Sequence, residues 1–309
     1  EINTCIACNQ ACIDHIFNGK LTSCLVNPRA CHETELVIAK TPAPKKIAVV
    51  GAGPAGMACA TTAAERGHRV TLFDAAERIG GQFNIAKQIP GKEDFNETLR
   101  YFGRRIQTSG VDLQLNRRVD VDALKAGGYD HVVLATGIVP RLPPIPGIES
   151  DKVVSYLDII EGRKAAGRTV AIIGAGGIGF DVGEFLTHVH VGKTEAERFN
   201  DEWGIDPEYR NRGGLKAPVD ETAPRRVFLL QRKSSKVGDG LAKTTGWARR
   251  LLLQKRGVHM QGGVKYLKID DAGLHIAVDG KAQVLAVDTI VICAGQEPRR
   301  ELVAGLEAA

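Results

Sequence analysis

The stretch Lys46-Ile47-Ala48-Val49-Val50-Gly51-Ala52-Gly53-Pro54-Ala55-Gly56 decides how the rest of the chain is read. Lys46–Val50 is a short apolar run suited to a buried parallel strand. Pro54–Arg66 then reads as a helix, with Gly67 as its C-terminal stop. A G-x-G-x-x-G motif alone is weak evidence; set between a strand and a helix it is much stronger. Gly51 permits the tight turn, Gly53 lets backbone N–H groups approach a pyrophosphate, and Gly56 lets the helix pack on the strand. The helix N-terminus stabilises the negative charge. Gly51, Ala52, Gly53 and Gly56 are therefore expected to cradle a dinucleotide.

The surrounding residues extend this pattern. Arg69–Phe73 reads as the next strand and ends in Asp74, 23 residues after Gly51. A carboxylate there can accept from ribose hydroxyls; the plainer alternative is a helix cap or a solvated side chain. Gly80-Gly81-Gln82 brings backbone towards the same ligand. Phe95, Leu99, Phe102 and Ile106 recur at helical spacing, so Phe95–Ser109 is an expected amphipathic helix with these side chains in the core. His131–Ala135 is a further strand, and Ala135-Thr136-Gly137 fits the tight turn that two-nucleotide flavoproteins place near the cofactor.

From Arg168 the pattern begins again. Thr169–Ile173 is a strand, and Gly174-Ala175-Gly176-Gly177-Ile178-Gly179 repeats the fingerprint, with Gly174, Gly176 and Gly179 as its key glycines. Arg226–Leu230 reads as the second strand and runs into Gln231-Arg232-Lys233, with no carboxylate. Basic residues there favour a 2′-phosphate, and so NADPH over NADH; the alternative is a solvated basic turn. The polar stretch between His188 and Pro224 reads as a long insertion. Val264–Ile269, Leu274–Val278 and Val284–Val287 suggest an antiparallel meander, and Thr289–Cys293 a return strand. Trp247 suits either the core or the nicotinamide side.

Four of the seven cysteines are bunched near the start. Cys5, Cys8, Cys12 and Cys24 have the spacing C-x2-C-x3-C-x11-C. Three thiolates in one tight wrap and a fourth from a nearby loop suit a [4Fe–4S] cluster. Structural zinc more often uses two separate C-x2-C knuckles and is the alternative. Cys31 competes with Cys24 as fourth ligand, and Cys59 and Cys293 read as inert buried thiols. This usage is not a secreted disulfide framework and points to a reducing, cytoplasmic setting.

Composition sets limits. The chain has 309 residues, room for about two domains. The net charge of +5 comes without a basic stripe interleaved with aromatics, which argues against nucleic-acid binding. No run of 18 apolar residues suggests a membrane span. The expected fold class is α/β, with two Rossmann-like dinucleotide-binding domains, one inserted in the other, after a small Cys-rich segment. The expected limits are 1–40 for the iron–sulfur segment, 41–150 continued by 288–309 for the first dinucleotide-binding domain, and 151–287 for the second, NADPH-type domain.

Several longer motifs carry a resemblance. They are Cys5-Ile6-Ala7-Cys8-Asn9-Gln10-Ala11-Cys12, Cys24-Leu25-Val26-Asn27-Pro28-Arg29-Ala30-Cys31-His32-Glu33, Gly80-Gly81-Gln82-Phe83-Asn84-Ile85-Ala86 and Lys243-Thr244-Thr245-Gly246-Trp247. Together they resemble the bacterial 2,4-dienoyl-CoA reductase (NADPH) family, relatives of trimethylamine dehydrogenase and old yellow enzyme. The resemblance implies FAD on the first loop and NADPH on the second. It implies flavin contacts at Ala55, Asp74, Gln82, Lys92 and Val119. It also implies a path from NADPH to FAD, through the cluster, to FMN in an N-terminal barrel that holds the acyl-CoA site. That barrel and a C-terminal stretch of the FAD domain are absent from this sequence, so it is expected to be an internal fragment without substrate-reducing residues. Two other readings stand beside this one: an electron-transfer subunit resembling the small subunit of glutamate synthase, and an ADP-holding structural module as in trimethylamine dehydrogenase.

Overall fold

A computed structural model describes residues 2–189, 192–219 and 222–308. Glu1 and Ala309, the expected outer limits, and residues 190–191 and 220–221 of the expected insertion lie outside the described residues. The chain forms two compact units. Unit 1 comprises Glu1–Gln88, Lys92–Val139 and Gln296–Ala309; unit 2 comprises Ile89–Gly91 and Pro140–Gly295.

Unit 1 is built on β1 (Lys46–Val50), β2 (Arg69–Phe73), β3 (Asp112–Gln114) and β4 (His131–Leu134), in the order β3-β2-β1-β4, all parallel. The central β1 has Ala48 and Val49 fully buried, as a strand covered on both faces requires. A short α1 (Ile13–Phe17) lies in the Cys-rich segment, and α2 (Pro54–Glu65) follows the first glycine loop. Beyond α3 (Phe83–Ala86) comes α4 (Phe95–Ser109), which packs on α2. Phe102 and Ile106 of α4 are buried in the core with Met57, Ala60 and Leu72, and Leu99 packs against them. These aromatic and aliphatic positions are core, as their spacing predicts. On the other face of the sheet, Val119 and Leu124 of α5 (Val121–Ala126) and its approach pack with Ala48, Val50 and Phe73. β5 (Ile138–Pro140) pairs with a strand near the chain's end.

Unit 2 repeats the architecture. β6 (Val153–Ser155) leads into α6 (Tyr156–Ile160), then β7 (Thr169–Ile173) and α7 (Gly177–Thr187). After α8 (Glu195–Trp203) come β8 (Arg226–Leu230), α9 (Gly246–Lys255) and β9 (His259–Gln261). β10 (Lys265–Asp270), β11 (Gly273–Val278) and β12 (Lys281–Leu285) form the expected antiparallel meander. The chain closes with β13 (Thr289–Ile292), β14 (Gln296–Pro298) and α10 (Val303–Glu307). The main sheet is parallel in the order β6-β13-β7-β8-β9, and β14 is the partner of β5.

Three local expectations need correction. Thr289–Ile292 pairs with β7, so it belongs to unit 2, and the chain returns to unit 1 at Gln296 and not at 288. The first crossing likewise falls at Pro140 and not at 151. The stretch read as a bare polar insertion holds α8, begun by a full capping box: Thr194 Oγ1 accepts from the Glu197 N–H, and the Glu197 side chain accepts from the Thr194 N–H. Among the described residues, no helix is long and apolar enough to cross a membrane.

Candidate functional site

The two glycine loops have the same geometry, and it separates the jobs of their glycines. Gly51 has φ +110° and Gly174 has φ +111°, values that L side chains rarely adopt. A Cβ on Gly51 would sit 2.2 Å from the Ala135 carbonyl oxygen, and one on Gly174 would sit 2.3 Å from that of Cys293. A Cβ on Gly56 would lie 1.7 Å from the Gly51 oxygen, and one on Gly179 would lie 1.9 Å from the Gly174 oxygen. The first and third glycines are thus demanded by the protein's own packing. The second is different. A Cβ on Gly53 would meet nothing nearer than 3.9 Å, and one on Gly176 nothing within 4 Å. Their missing side chains leave open space at the N-termini of α2 and α7, where a pyrophosphate needs it. The residues therefore fit a dinucleotide in each unit.

In unit 1, Asp74 does more than cap or meet solvent. Its Oδ2 accepts from the Ala52 N–H at 2.6 Å, and its Oδ1 accepts from the Ala76 N–H at 2.8 Å. The carboxylate ties the glycine loop to the end of β2 and is held beside it. Gly81 lies against Gly53, a Cβ on it meeting the Gly53 Cα at 3.0 Å, and the Gly80 N–H donates to the Ala52 oxygen at 2.8 Å. The turn Ala135-Thr136-Gly137 is fixed by Arg299: the Thr136 hydroxyl donates to its carbonyl at 3.0 Å, and its N–H donates to the Gly137 oxygen at 3.0 Å.

A cavity of about 360 Å³ opens beside this loop. Gly51, Asp74, Val119 and Thr136 line it, which gathers four of the residues picked out from sequence. Gln82 and Lys92 are outside that lining; Gln82 is exposed at the N-terminus of α3. Ala55 is exposed near the start of α2. Sequence reading missed Arg117, Arg118 and Arg299, which also line the cavity. Arg117 and Arg118 directly precede Val119, and that adjacency was their available signal. The Arg117 guanidinium stands 5.4 Å from the Phe73 ring centroid.

In unit 2, Arg232 and Lys233 are exposed just past β8. Gln231 shapes that turn, its Nε2 donating to the Lys233 and Ser235 oxygens at 3.0 Å each. Trp247 is 56% exposed on the first turn of α9, so it is not a core residue.

The Cys-rich segment of unit 1 carries all four expected ligands as free thiols, Cys5 exposed and Cys8, Cys12 and Cys24 half-buried. Among the described residues, no three His, Cys, Asp or Glu side chains form a group that could hold a single metal ion. The local backbone nonetheless suits thiolate ligation. Ala7 and Asn9 are left-handed, and the Ala7 N–H donates to the Cys5 sulfur at 3.3 Å. The Ser23 N–H donates to the Ala11 oxygen at 2.7 Å, which brings the Cys24 loop to the Cys12 turn. Cys31 is exposed and left-handed, its N–H turned to the Glu33 carboxylate.

Cys59 is half-buried in α2, and Cys293 is buried after β13. Burial pushes both thiols up, with the Asp181 charge adding to the effect at Cys293. Beyond the Cys-rich segment the sequence has only these two cysteines, one in each unit.

Three known proteins show what this arrangement is similar to. A metal reductase of Desulforamulus reducens is 32% identical over 320 residues, covering 99% of this chain and 46% of its own. A cinnamate reductase of Clostridium sporogenes is 34% identical over 202 residues, 65% of this chain and 30% of its own. The structure of a 2-naphthoyl-CoA reductase in complex with 2-naphthoyl-CoA matches with a TM-score of 0.82 at 29% identity, covering 98% of this chain and 41% of that one. The chain spans less than half the length of each. The family pattern described as pyridine nucleotide-disulphide oxidoreductase matches residues 45–309. That match runs across both glycine loops and both sheets, so this chain belongs to the pyridine nucleotide-disulphide oxidoreductase family, an oxidoreductase family of FAD and NAD(P)H.

Proposed function

We propose that this chain is the electron-input part of a larger iron–sulfur flavoprotein reductase, with FAD in unit 1, NADPH in unit 2 and a [4Fe–4S] cluster on Cys5, Cys8, Cys12 and Cys24. The observation that carries this reading is the pair of matching cradles, each with the second glycine of its fingerprint left open, in one chain with a four-cysteine segment. Together the bound groups supply the conversion of a nicotinamide's electron pair into single electrons. The protein's part is to bind and orient. Gly53 and Gly176 leave room for a pyrophosphate, and the N-termini of α2 and α7 stabilise its charge. Asp74, held by Ala52 and Ala76, presents its remaining lone pairs to a ribose. Arg232 and Lys233 favour the 2′-phosphate of NADPH. The Ala7 N–H lowers the charge density on the Cys5 thiolate.

The parent protein, on this proposal, reduces a 2,4-dienoyl-CoA at an FMN held in a separate domain. Cinnamate and 2-naphthoyl-CoA, named in two of the relatives, also carry unsaturation conjugated to a carboxyl carbonyl, which supports that substrate class. The test is anaerobic titration of the FAD-loaded chain with NADPH, with iron and sulfide measured on the same material. Bleaching of the flavin and about four irons per chain are expected. A flavin that NADPH leaves oxidised, or stoichiometric zinc in place of iron, would sink the proposal. For the substrate, a parent protein that ignores dienoyl-CoA while reducing another conjugated enone would refute that choice and leave electron input standing.

A further inference from the structure

The two units share a second repeat, separate from their glycine loops. Ala135-Thr136-Gly137-Ile138-Val139-Pro140-Arg141 follows β4, and Cys293-Ala294-Gly295-Gln296-Glu297-Pro298-Arg299 follows β13. Glycine, proline and arginine recur at the same spacing, while every residue between them differs. The glycines are needed for backbone reasons: Gly137 has φ +76° and Gly295 has φ +106°. The prolines end β5 and β14. The arginines have no such backbone reason.

Each arginine stands at the strand-end turn beside a glycine loop. In unit 1, Arg299 brackets Thr136 and Gly137 through its backbone, and it lines the cavity that Gly51 and Asp74 also line. In unit 2, Arg141 donates from Nε at 3.1 Å and from Nη2 at 2.5 Å to the Ala294 carbonyl, and its N–H donates to the Gly295 oxygen at 3.0 Å. Ala294 is in turn the neighbour of the Gly174 loop, where a Cβ on Gly174 would come within 3.2 Å of the Ala294 nitrogen. Both arginines are exposed, so the charge is not committed to the protein interior.

Three acidic residues, Asp74, Asp120 and Glu301, line the unit 1 cavity with Arg299, and two of them have backbone partners. Asp74 is taken up by Ala52 and Ala76, and Asp120 accepts from the Ala123 N–H as the cap of α5. A planar, always-charged fork at the C-terminal edge of a parallel sheet, next to a loop shaped for pyrophosphate, is suited to a phosphate oxygen pair.

We propose that Arg299 and Arg141 are a matched pair of diphosphate-binding residues, Arg299 for the dinucleotide on the Gly51 loop and Arg141 for the one on the Gly174 loop. The inference rests on the reading of FAD in unit 1 and NADPH in unit 2. It adds a residue in each unit that holds the charge shared by both cofactors, where Asp74 and the Arg232-Lys233 pair tell them apart.

The test is calorimetric titration of the full chain with FAD, ADP, adenosine and NADPH. Arg299→Gln should weaken FAD and ADP by roughly ten- to a hundredfold, as expected for removing one charge-assisted hydrogen bond, and leave adenosine and NADPH within about twofold. Arg141→Gln should weaken NADPH by a similar factor and leave FAD unchanged. Lysine at either place should restore part of the affinity, because it keeps the charge without the fork. Equal weakening of ADP and adenosine in Arg299→Gln would overturn the diphosphate assignment. So would a pair of variants that each lower both affinities along with the melting temperature, since that is the mark of a purely structural role. A wild-type chain that takes up neither FAD nor NADPH would instead overturn the cofactor reading itself.

Discussion

Single atoms separate the glycines that the fold needs from those a ligand needs. Gly56→Ala drives a methyl to within 1.7 Å of the Gly51 oxygen, so it should lower the melting temperature of the chain and abolish flavin uptake together. Gly53→Ala puts its methyl 3.9 Å from the nearest atom, so the fold should survive with the same melting temperature while FAD affinity falls. Measuring both quantities for both variants checks the distinction; an equal drop in melting temperature would refute it. At the end of β8, Arg232→Ala with Lys233→Ala should erase most of the preference for NADPH over NADH, about 1.5–3 kcal/mol for each charge-assisted hydrogen bond removed. Steady-state dye reduction with each nucleotide reads this directly, and an unchanged ratio would show that neither residue meets the 2′-phosphate. Cys12→Ser should remove most of the brown absorbance of anaerobic protein, whereas Cys59→Ser, in a thiol that burial keeps protonated on α2, should not. Equal absorbance in the two variants would take Cys12 out of the ligand set. Several of these residues were legible in sequence because a G-x-G-x-x-G loop and a run of cysteines are local patterns. Arg299 was not, since it is far along the chain from the Gly51 loop it faces.

Among the elements that sequence reading passed over, α8 carries a plain local signal. Its stretch is polar and rich in glycine and proline around the edges, so it reads as loop, yet Thr194 and Glu197 form a reciprocal cap. Thr194→Ala should destabilise this element by about 1 kcal/mol, seen as faster amide exchange across residues 195–203. The same element has a pH response. Asp201 accepts from the Lys193 and Lys216 ammonium groups at 2.7 Å each, and these bonds hold its carboxyl down at about 2. A carboxyl lowered in the folded state contributes stability that is present above its ordinary value near 4. That contribution is lost as the pH falls through about 2. Amide exchange of α8 should therefore accelerate between pH 4 and pH 2, and Asp201→Asn should flatten that step. An unchanged step in the variant would assign it elsewhere. β13 teaches a different lesson. Its apolar run is readable as a strand, but hydrophobicity along one strand does not say which sheet receives it. Only its pairing with β7 places it in unit 2.

At the scale of the whole molecule, the chain should reduce ferricyanide with NADPH when FAD is supplied, and should leave dienoyl-CoA untouched. Assaying both acceptors checks this; turnover of dienoyl-CoA by these residues alone would mean that a substrate site has gone unseen. The sequence alone determined the two β-loop-helix repeats, the parallel character of their strands, the core face of α4 and the antiparallel meander. Each of these follows from short-range periodicity and backbone chemistry: a strand buried on both faces must be apolar throughout, and a tight turn against a neighbouring carbonyl admits only glycine. Tertiary structure alone decided the rest. It brought Asp74 to the Ala52 N–H, moved the return crossing to Gln296, exposed Trp247, and brought Arg299 to Thr136 and Arg141 to the Ala294 carbonyl. The physical reason is that these interactions join residues many positions apart. Which distant group a side chain meets is settled by sheet order and by where the chain crosses between units, and no local pattern of residues encodes either.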